Sequence, residues 1–172
     1  MLHLSLAAVD RGDARLREQV PPDHPMWVGT GVELTRPLEV DLKATEVGDG
    51  VLVRGTLATT VRQACRRCLE PVEQEVSEHV DLLFARPMEG EDVADDGEVY
   101  PLPPRGDDVD LTDAVREQVL LQVPQFTLCR EECRGLCPQC GTNLNDGACE
   151  CVPEQASSPW DALKNVEFEH DD

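Results

Sequence analysis

Six of the chain's eight cysteines lie in one short segment, residues 129–151, which reads CREECRGLCPQCGTNLNDGACEC. Its second half holds two close pairs, Cys137 with Cys140 and Cys149 with Cys151. A tetrahedral zinc site needs four thiolate or imidazole ligands at about 2.3 Å, and two close cysteine pairs joined by a short loop can supply them. The sequence therefore predicts a zinc-ribbon-like metal site made by these four cysteines.

The residues between the cysteines favour the turns that such a site needs. Pro138 fixes φ after the first ligand, and Gly141 allows a positive φ, so that backbone N–H groups can face the thiolates. Asn143, Asn145 and Gly147 are turn formers that let the two pairs meet. The spacing of Cys149 and Cys151 is tighter than usual for zinc ligands.

A disulfide framework is the alternative use of an even number of cysteines. Against it, the N-terminus is interrupted by Asp10, Arg11 and Asp13 and lacks the small-residue cleavage signature of a signal peptide. No apolar run reaches transmembrane length, so no membrane association is expected. We therefore expect a cytoplasmic protein, in which clustered cysteines bind metal more often than they oxidise.

Four cysteines remain outside the first predicted site, and the sequence leaves two uses for them open. Cys65 and Cys68 enclose two arginines in Cys65-Arg-Arg-Cys68, whereas Cys129 and Cys133 begin the cysteine segment. Together they would make a second tetrahedral site, giving two zinc ions per chain. Otherwise the chain has a single zinc site, and Cys65 and Cys68 are reduced structural or surface thiols.

No catalytic constellation is visible in the sequence. The four histidines are scattered, and no glycine-rich phosphate-binding loop appears. Cys65 is flanked by Arg66 and Arg67, which would lower its pKa, but nothing nearby supplies a base. We expect no enzymatic activity and no small-molecule substrate.

Alternation of apolar and polar residues predicts three half-buried strands, over residues 38–45, 51–62 and 72–84. Residues 48–50 and 66–71 form the turns between them, which puts Cys65 and Cys68 at an exposed hairpin end. The residues expected on the buried face are Leu38, Val40, Leu42, Ala44, Val51, Val53, Leu57, Val61, Val72, Val76, Val80, Leu82 and Phe84.

A helix should follow, opening at residues 110–113 with a capping residue and first-turn acids and stopping before Pro124. The predicted class is α+β, an antiparallel β-meander covered by a helix, with the cysteine segment appended. Residues 86–109 lack periodicity and predict an acidic linker or long loop.

These patterns divide the chain into four parts. Residues 1–34 have no assigned role, 35–128 hold the meander, acidic loop and helix, 129–151 bind zinc, and 152–172 form a tail with a short helix around Trp160.

The order of these motifs resembles the bacterial YceD family, also called large ribosomal RNA subunit accumulation proteins. The resemblance runs from about residue 35 and rests on Cys65-Arg-Arg-Cys68-Leu-Glu-Pro71, CRGLCPQCGTNLNDGACEC and the terminal PWDALKNV. It implies a cytoplasmic, non-enzymatic factor for accumulation or processing of 23S ribosomal RNA and for large-subunit assembly. The implied partners are the large-subunit RNA precursor, ribosomal proteins, or both.

The acidic net charge of the chain limits how it could bind RNA. The formal net charge is −20 at pH 7, which repels phosphate backbones at long range. Positive charge gathers beside the cysteines, and would form one basic face for RNA or an acidic partner if the cysteine segment folds over the hairpin end. These arginines are Arg62, Arg66, Arg67, Arg130 and Arg134.

Two other interpretations stay open. The arginines could merely offset thiolate and carboxylate charge, while the acidic loop binds basic ribosomal proteins. The alternative function is a redox-responsive zinc protein, in which oxidation of Cys149 and Cys151 expels the metal, or another zinc-ribbon interaction module.

Overall fold

The computed structural model describes residues 2–12, 14–86, 99–103 and 108–151. They form eight strands, two α-helices and a short 3-10 helix. In chain order these are β1 (His3–Ser5), α1 (Leu6–Asp10), β2 (Arg15–Val20), the 3-10 helix Pro25–Trp27, β3 (Glu33–Leu34), β4 (Leu38–Val47), β5 (Gly50–Ala64), β6 (Pro71–Ala85), β7 (Val99–Pro101), β8 (Asp108–Asp110) and α2 (Thr112–Gln122).

The main sheet has six strands in the order β2-β4-β5-β6-β7, with β3 paired to the far end of β5. All pairs are antiparallel except β6 with β7, which is parallel. Strands β1 and β8 form a separate antiparallel pair. The predicted α+β class with a mostly antiparallel sheet is confirmed.

One face of β4, β5 and β6 forms the core. Twelve of the thirteen residues expected on this face are buried, from Leu38 on β4 to Phe84 on β6. The exception is Val72, which is only partly buried and packs against the cysteines instead. Burial of this apolar stripe favours folding by about 25 cal/mol per Å² of apolar surface.

Helix α2 covers the sheet by packing against β6 and the 3-10 helix. It begins at Thr112, because Asp110 belongs to β8 and its Oδ1 accepts a hydrogen bond from the Thr112 backbone N–H at 2.9 Å. Its buried residues are Ala114, Val115 and Val119, spaced for one helical face. None of the helices among the described residues is long and apolar enough to cross a membrane.

The first 34 residues, to which the sequence assigned no role, contribute to the main sheet and its core. Strand β2 pairs with β4 along its whole length, from Arg15 opposite Lys43 to Val20 opposite Leu38. Trp27 in the 3-10 helix is buried in the core. This segment therefore supplies an edge strand and part of the cover.

The prediction of an acidic linker or long loop over residues 86–109 is wrong at residues 99–101 and 108–109, which lie in strands. Strands β7 and β8 lie within it, and Leu102 and Val109 are buried. Tyr100 stacks on Phe84 with ring centroids 5.2 Å apart. Three-residue strands are too short to show a period. The rest of the predicted acidic loop, and the predicted short helix around Trp160, lie outside the described residues.

Candidate metal centres

The turn between β5 and β6 is a tight knuckle that starts at Cys65. The Cys65 backbone N–H donates to the Glu70 carbonyl at 2.8 Å, and the Leu69 N–H donates to the Cys65 carbonyl at 2.9 Å. Closing this turn puts Leu69 at φ 63°, in the left-handed region that residues with a side chain rarely adopt. The fold thereby presents Cys68 beside Cys65.

A second knuckle, Cys137 to Thr142, repeats the first bond for bond. The Cys137 N–H donates to the Thr142 carbonyl at 2.8 Å, and the Gly141 N–H donates to the Cys137 carbonyl at 2.9 Å. Gly141 has φ 73°, as the sequence predicted for a glycine that turns the chain back. Two knuckles of one design therefore exist in the chain, one on the sheet and one in the cysteine segment.

The first knuckle contributes to a cluster of four thiols, Cys65, Cys68, Cys129 and Cys133, whose Sγ atoms all lie within 4.8 Å of one another. The Sγ atoms of Cys65 and Cys133 are 3.8 Å apart, and those of Cys68 and Cys129 are 3.6 Å apart. Four sulfurs bound to one metal at about 2.3 Å stand about 3.8 Å from each other, whereas a disulfide requires about 2.05 Å. The separations fit a shared metal ion and do not fit disulfides.

The second knuckle contributes to a cluster made by Cys137, Cys140, Cys149 and Cys151, again with all Sγ atoms within 4.8 Å. The tight spacing of Cys149 and Cys151 thus still brings both thiols to the site. This cluster is the more open of the two, since Cys140 is exposed and Cys149 and Cys151 are half-buried. The structure brings together the same two sets of four that the two-site alternative required.

The expected exposure of the first pair is wrong. Cys65 is 0 % exposed and Cys68 is 3 % exposed, because the chain after α2 folds over the hairpin end. Leu128 and Leu136 pack against the cluster, together with Val72 from β6. A local reading of the hairpin could not find this cover, which comes from residues about 60 positions further along the chain.

Arg67 fastens this cover to the hairpin. Its carbonyl accepts the Leu136 N–H at 3.0 Å, and its Nη1 donates to the Cys133 carbonyl at 2.9 Å and to the Glu131 carbonyl at 3.3 Å. Gly135 sits directly on it, with φ 75°, and a Cβ there would lie 2.9 Å from the Arg67 carbonyl oxygen. The hairpin and the cysteine segment are therefore docked through backbone groups as well as through the thiols.

Two thiols of the first cluster ionise easily. Burial opposes ionisation of Cys65, but backbone N–H groups of Cys68, Cys129 and Arg67 outweigh it and lower the Cys65 pKa to about 6. Burial likewise opposes ionisation of Cys133, yet its pKa is lowered by the Asn145 side-chain amide, 3.3 Å from Sγ, and by the Gly135 N–H.

The other two thiols of this cluster resist ionisation. Burial and then the neighbouring thiols raise the pKa of Cys129 to about 12. The Glu70 N–H acts to lower the pKa of Cys68, but burial and the adjacent thiols raise it overall. The cause is common to both, since a further negative charge among buried sulfurs is unfavourable.

The second cluster divides in the same way. The Thr142 hydroxyl, 3.1 Å from the sulfur, and the Thr142 N–H lower the pKa of Cys140 to about 6. The N–H groups of Cys140 and Gln139 lower that of Cys137.

Its remaining thiols titrate above the ordinary range. The neighbouring Cys140 thiol and then burial raise the Cys151 pKa to about 12. The Cys151 N–H acts to lower the pKa of Cys149, but nearby thiols and burial raise it overall. Each cluster thus combines N–H groups aimed at sulfur with four thiols that cannot all ionise unless a cation joins them. Four soft sulfur donors in a tetrahedral set could hold such a metal ion.

The five predicted contact arginines fall into two groups. Arg62 is charge-compensated, since its Nη1 lies 2.7 Å from Glu33 and its Nη2 3.4 Å from Glu73. Arg67 serves as the fastening described above. Both guanidinium groups therefore already have partners within the protein.

The other three, Arg66, Arg130 and Arg134, are exposed around the first cluster and form no ion pair with a carboxylate among the described residues. Arg66 instead lies over the Phe126 ring, with its Cζ 3.9 Å from the ring centroid. The predicted folding of the cysteine segment over the hairpin end does bring these arginines to one neighbourhood.

Sequence reasoning missed Asn145 and Phe126 as functional candidates. Asn145 reads only as a turn former, although its amide donates to the Cys133 sulfur and its Oδ1 accepts the Arg134 N–H at 2.8 Å. Phe126 does not belong to any recognisable sequence motif. Aligning the two Cys-x-x-Cys motifs would have shown that Leu69 stands where the second motif has Gly141.

Comparison with known proteins identifies a matching protein family. The family model described as Large ribosomal RNA subunit accumulation protein YceD matches residues 53–167. An uncharacterized protein of Mycobacterium tuberculosis is 38 % identical over 108 residues, covering 62 % of this chain and 51 % of that protein. An uncharacterized protein of Mycobacterium leprae is 32 % identical over 113 residues, covering 66 % and 52 %.

A third relative has a descriptive name. The chloroplastic Large ribosomal RNA subunit accumulation protein YCED homolog 1 of Arabidopsis thaliana is 23 % identical over 155 residues, covering 76 % of this chain and 48 % of that protein. The chain spans about half the length of the relatives it matches. No solved structure matches it.

Proposed function

The chain belongs to the YceD family, and from this premise we propose that it is a non-enzymatic factor for accumulation of 23S ribosomal RNA and assembly of the large ribosomal subunit. The observation that carries the proposal is the match over residues 53–167, which includes all eight cysteines and hence both clusters. The family name connects the chain to large-subunit RNA. The 23S RNA as the molecule affected, and the absence of catalysis, are our proposals.

We propose that each cluster holds one zinc ion. The support is the sulfur geometry, since the four thiols of each cluster lie within 4.8 Å of one another. In the first cluster, the separations of 3.6 and 3.8 Å match the edges of a zinc–sulfur tetrahedron. Four protein ligands leave no open coordination position, so zinc would act structurally and not as a Lewis acid. The proposal places the protein in a reducing compartment, where clustered thiols bind metal.

The two zinc ions would do different work. The first draws two ligands from the β5–β6 hairpin and two from the cysteine segment, so metal binding and docking of the segment are coupled. The second draws all its ligands from residues 137–151 and would fold only that part. Together they build a rigid surface at the hairpin end.

That surface is where we propose the large-subunit RNA precursor binds. Of the predicted set, Arg66, Arg130 and Arg134 have neither a carboxylate partner, as Arg62 does, nor the backbone carbonyls that hold Arg67, among the described residues. Ribosomal proteins, which would meet the acidic remainder of the surface, are the second candidate partners. The net charge of −20 favours a basic protein there.

Depletion of the protein in its host tests the function. We expect less 23S RNA relative to 16S RNA and a deficit of large subunits in sucrose gradients, both restored by the wild-type gene. Cys65→Ser and Cys137→Ser variants, each missing one metal ligand, should restore the ratio poorly. An unchanged RNA ratio and subunit profile after depletion would refute the proposal.

A further inference from the structure

The first knuckle carries a residue that its own geometry disfavours. At the position where the second knuckle has glycine, with φ 73°, the first has Leu69, with φ 63°. A left-handed conformation is strained for leucine, and such strain persists where function requires it. The Leu69 side chain is also 63 % exposed, so core packing does not explain its presence.

Phe126 is exposed in the same neighbourhood and held there. The residue is 67 % exposed, an unusual state for a large aromatic amino acid. The backbone on both sides is anchored to the end of β5, because the Pro124 carbonyl accepts Gln63 Nε2 at 2.9 Å and the Thr127 carbonyl accepts the Arg66 N–H at 2.9 Å. The chain therefore projects Phe126 outward between two fixed points.

Arg66 connects the first knuckle to Phe126. It belongs to the same knuckle as Leu69, and its guanidinium stacks over Phe126 at 3.9 Å from the ring centroid. The second knuckle has Pro138 in the position of Arg66 and glycine in the position of Leu69. The metal-binding design thus does not require either residue.

We propose that Phe126, Arg66 and Leu69 form a platform that binds unpaired bases of single-stranded RNA. The inference rests on the proposed function and names the part of the RNA that is recognised. A stacked guanidinium and aromatic ring offer flat surfaces on which a base can continue the stack, and unpaired bases are recognised in this way on aromatic and arginine planes. Leu69 supplies an apolar neighbour for the base.

The chemistry of the platform favours a base over a protein partner. A stable protein interface buries on the order of 1,000 Å² or more around an apolar centre. Here the apolar centre is two side chains, and exposed Glu70, Glu131 and Glu132 stand near it in the sequence. The planar Arg66 guanidinium and Phe126 ring together offer enough surface for one or two bases to stack.

The acidic body also determines how the RNA is held. With a net charge of −20, the protein gains little from phosphate neutralisation, so stacking must carry the affinity. From this platform, Arg66 is the cation placed to reach a phosphate. Contact of Arg66 with one phosphate should therefore contribute a logarithmic salt slope of roughly −0.7.

Fluorescence anisotropy with the full-length, zinc-loaded protein tests the platform. The probes are a labelled single-stranded octa-adenylate and a labelled eight-base-pair RNA duplex of mixed sequence. We expect the single strand to bind and the duplex to bind at least about tenfold more weakly, because paired bases are not available for stacking. Phe126→Ala and Leu69→Gly should each weaken single-strand binding about tenfold.

Matched controls separate the platform from general surface effects. Val47→Ala changes a 50 % exposed apolar residue at the end of β4, next to the start of β5 and so remote from the platform. Arg54→Gln removes an exposed arginine paired with Asp81. Both variants should bind RNA as the wild type does. Zinc content and circular dichroism establish that each variant is folded. Leu69→Gly is the decisive variant, because it relieves strain while removing the contact.

The outcomes are distinct. Failure of the wild type to bind the octa-adenylate, equal binding of the duplex, or undiminished binding by Phe126→Ala and Leu69→Gly would each overturn the proposal. If Phe126→Ala instead lost binding to isolated large-subunit ribosomal proteins and kept RNA binding, the platform would be a protein site and the proposal would again fail. Rescue of the RNA ratio by Phe126→Ala in a depleted strain would leave the proposed function standing without the platform.

Discussion

Leu69 and Gly141 occupy the same position in the two knuckles of the chain. Each donates its N–H to the carbonyl of the first cysteine of its motif at 2.9 Å, and each has a left-handed backbone, with φ 63° and 73°. Only one of the two is the residue that this conformation favours. Substitutions at these two positions can therefore show, within one molecule, how much conformational strain a side chain adds at this position of the knuckle.

Leu69→Gly should stabilise the folded protein. Removing left-handed strain gains about 1–3 kcal/mol, from which the greater backbone entropy of glycine in the unfolded chain subtracts about 0.5–1 kcal/mol. Since Leu69 is 63 % exposed, little burial is lost. We expect a net gain of about 1 kcal/mol in the free energy of unfolding, measured by urea denaturation of the zinc-loaded protein.

The reciprocal change, Gly141→Leu, should destabilise by a similar amount. A Cβ at Gly141 meets nothing within 4 Å, so the cost comes from backbone conformation and not from a clash. A loss of stability in Leu69→Gly would show that the exposed leucine makes a contact important for folding.

Zinc analysis should find two ions per chain in protein purified under reducing conditions. Cys65→Ser and Cys137→Ser should each reduce the count to one, because each removes a ligand from a different cluster. Hydrogen exchange separates their structural effects. Cys65→Ser should deprotect residues 128–136, whereas Cys137→Ser should deprotect residues 137–151 and leave the docking intact. Retention of two zinc ions by either variant would contradict this assignment.

Zinc affinity should rise with pH. The metal requires thiolates, and protons compete with it for them. At about pH 7 the Cys65 and Cys140 thiols, with pKa values of about 6, are largely ionised, whereas Cys129 and Cys151, with values of about 12, must each release a proton on binding. Each site should gain at least about tenfold in affinity per pH unit between about pH 6.5 and 8.

Below about pH 6 the loss of affinity should steepen, because protons then return to Cys65 and Cys140 as well. Competition with a chelator of known affinity at several pH values measures both regimes. A pH-independent affinity over this range would mean that the thiols are already ionised without metal.

Gly135→Ala should loosen the cysteine segment from the hairpin. Its Cβ would lie 2.9 Å from the Arg67 carbonyl oxygen, and φ is 75°, so both a clash and backbone strain oppose the substitution. We expect a loss of about 1–3 kcal/mol in the free energy of unfolding and faster hydrogen exchange at the Leu136 N–H.

Gly147→Ala is the matched control in the same segment. A Cβ at Gly147 meets nothing within 4 Å, and its backbone is not left-handed, so its effect should stay within about 0.5 kcal/mol. Equal effects of the two substitutions would show that the Arg67 contact does not hold the segment.

Much of the main sheet could be predicted because β4, β5 and β6 are long enough to show a clear period of two. Leu42 and Lys43, neighbours in β4, face the core and the solvent as their polarity indicates. Strands β1, β7 and β8 have three residues each, so no period exists to read. Strand β2 buries Leu16 and Val20 but exposes Glu18 between them, which breaks the alternation.

The two cysteine clusters also differ in how far the sequence alone could predict them. The second cluster draws its ligands from fifteen consecutive positions, 137–151, so spacing alone predicts it. The first joins Cys65 to Cys133, 68 positions apart, and only tertiary structure can bring them together. The burial of Cys65 and Cys68 and the exposure of Phe126 both follow from that docking, and no local pattern encodes either.

The divided ligand set of the first cluster imposes an order on biosynthesis. Cys68 is made 61 residues before Cys129, which it faces at 3.6 Å in the finished protein. At about 5–20 residues per second, this separation lasts about 3 to 12 s. During that interval the nascent hairpin has two thiols, an incomplete coordination sphere and no cover. Newly made chains are therefore most sensitive to oxidants and to competing thiophilic metals before the cysteine segment leaves the ribosome.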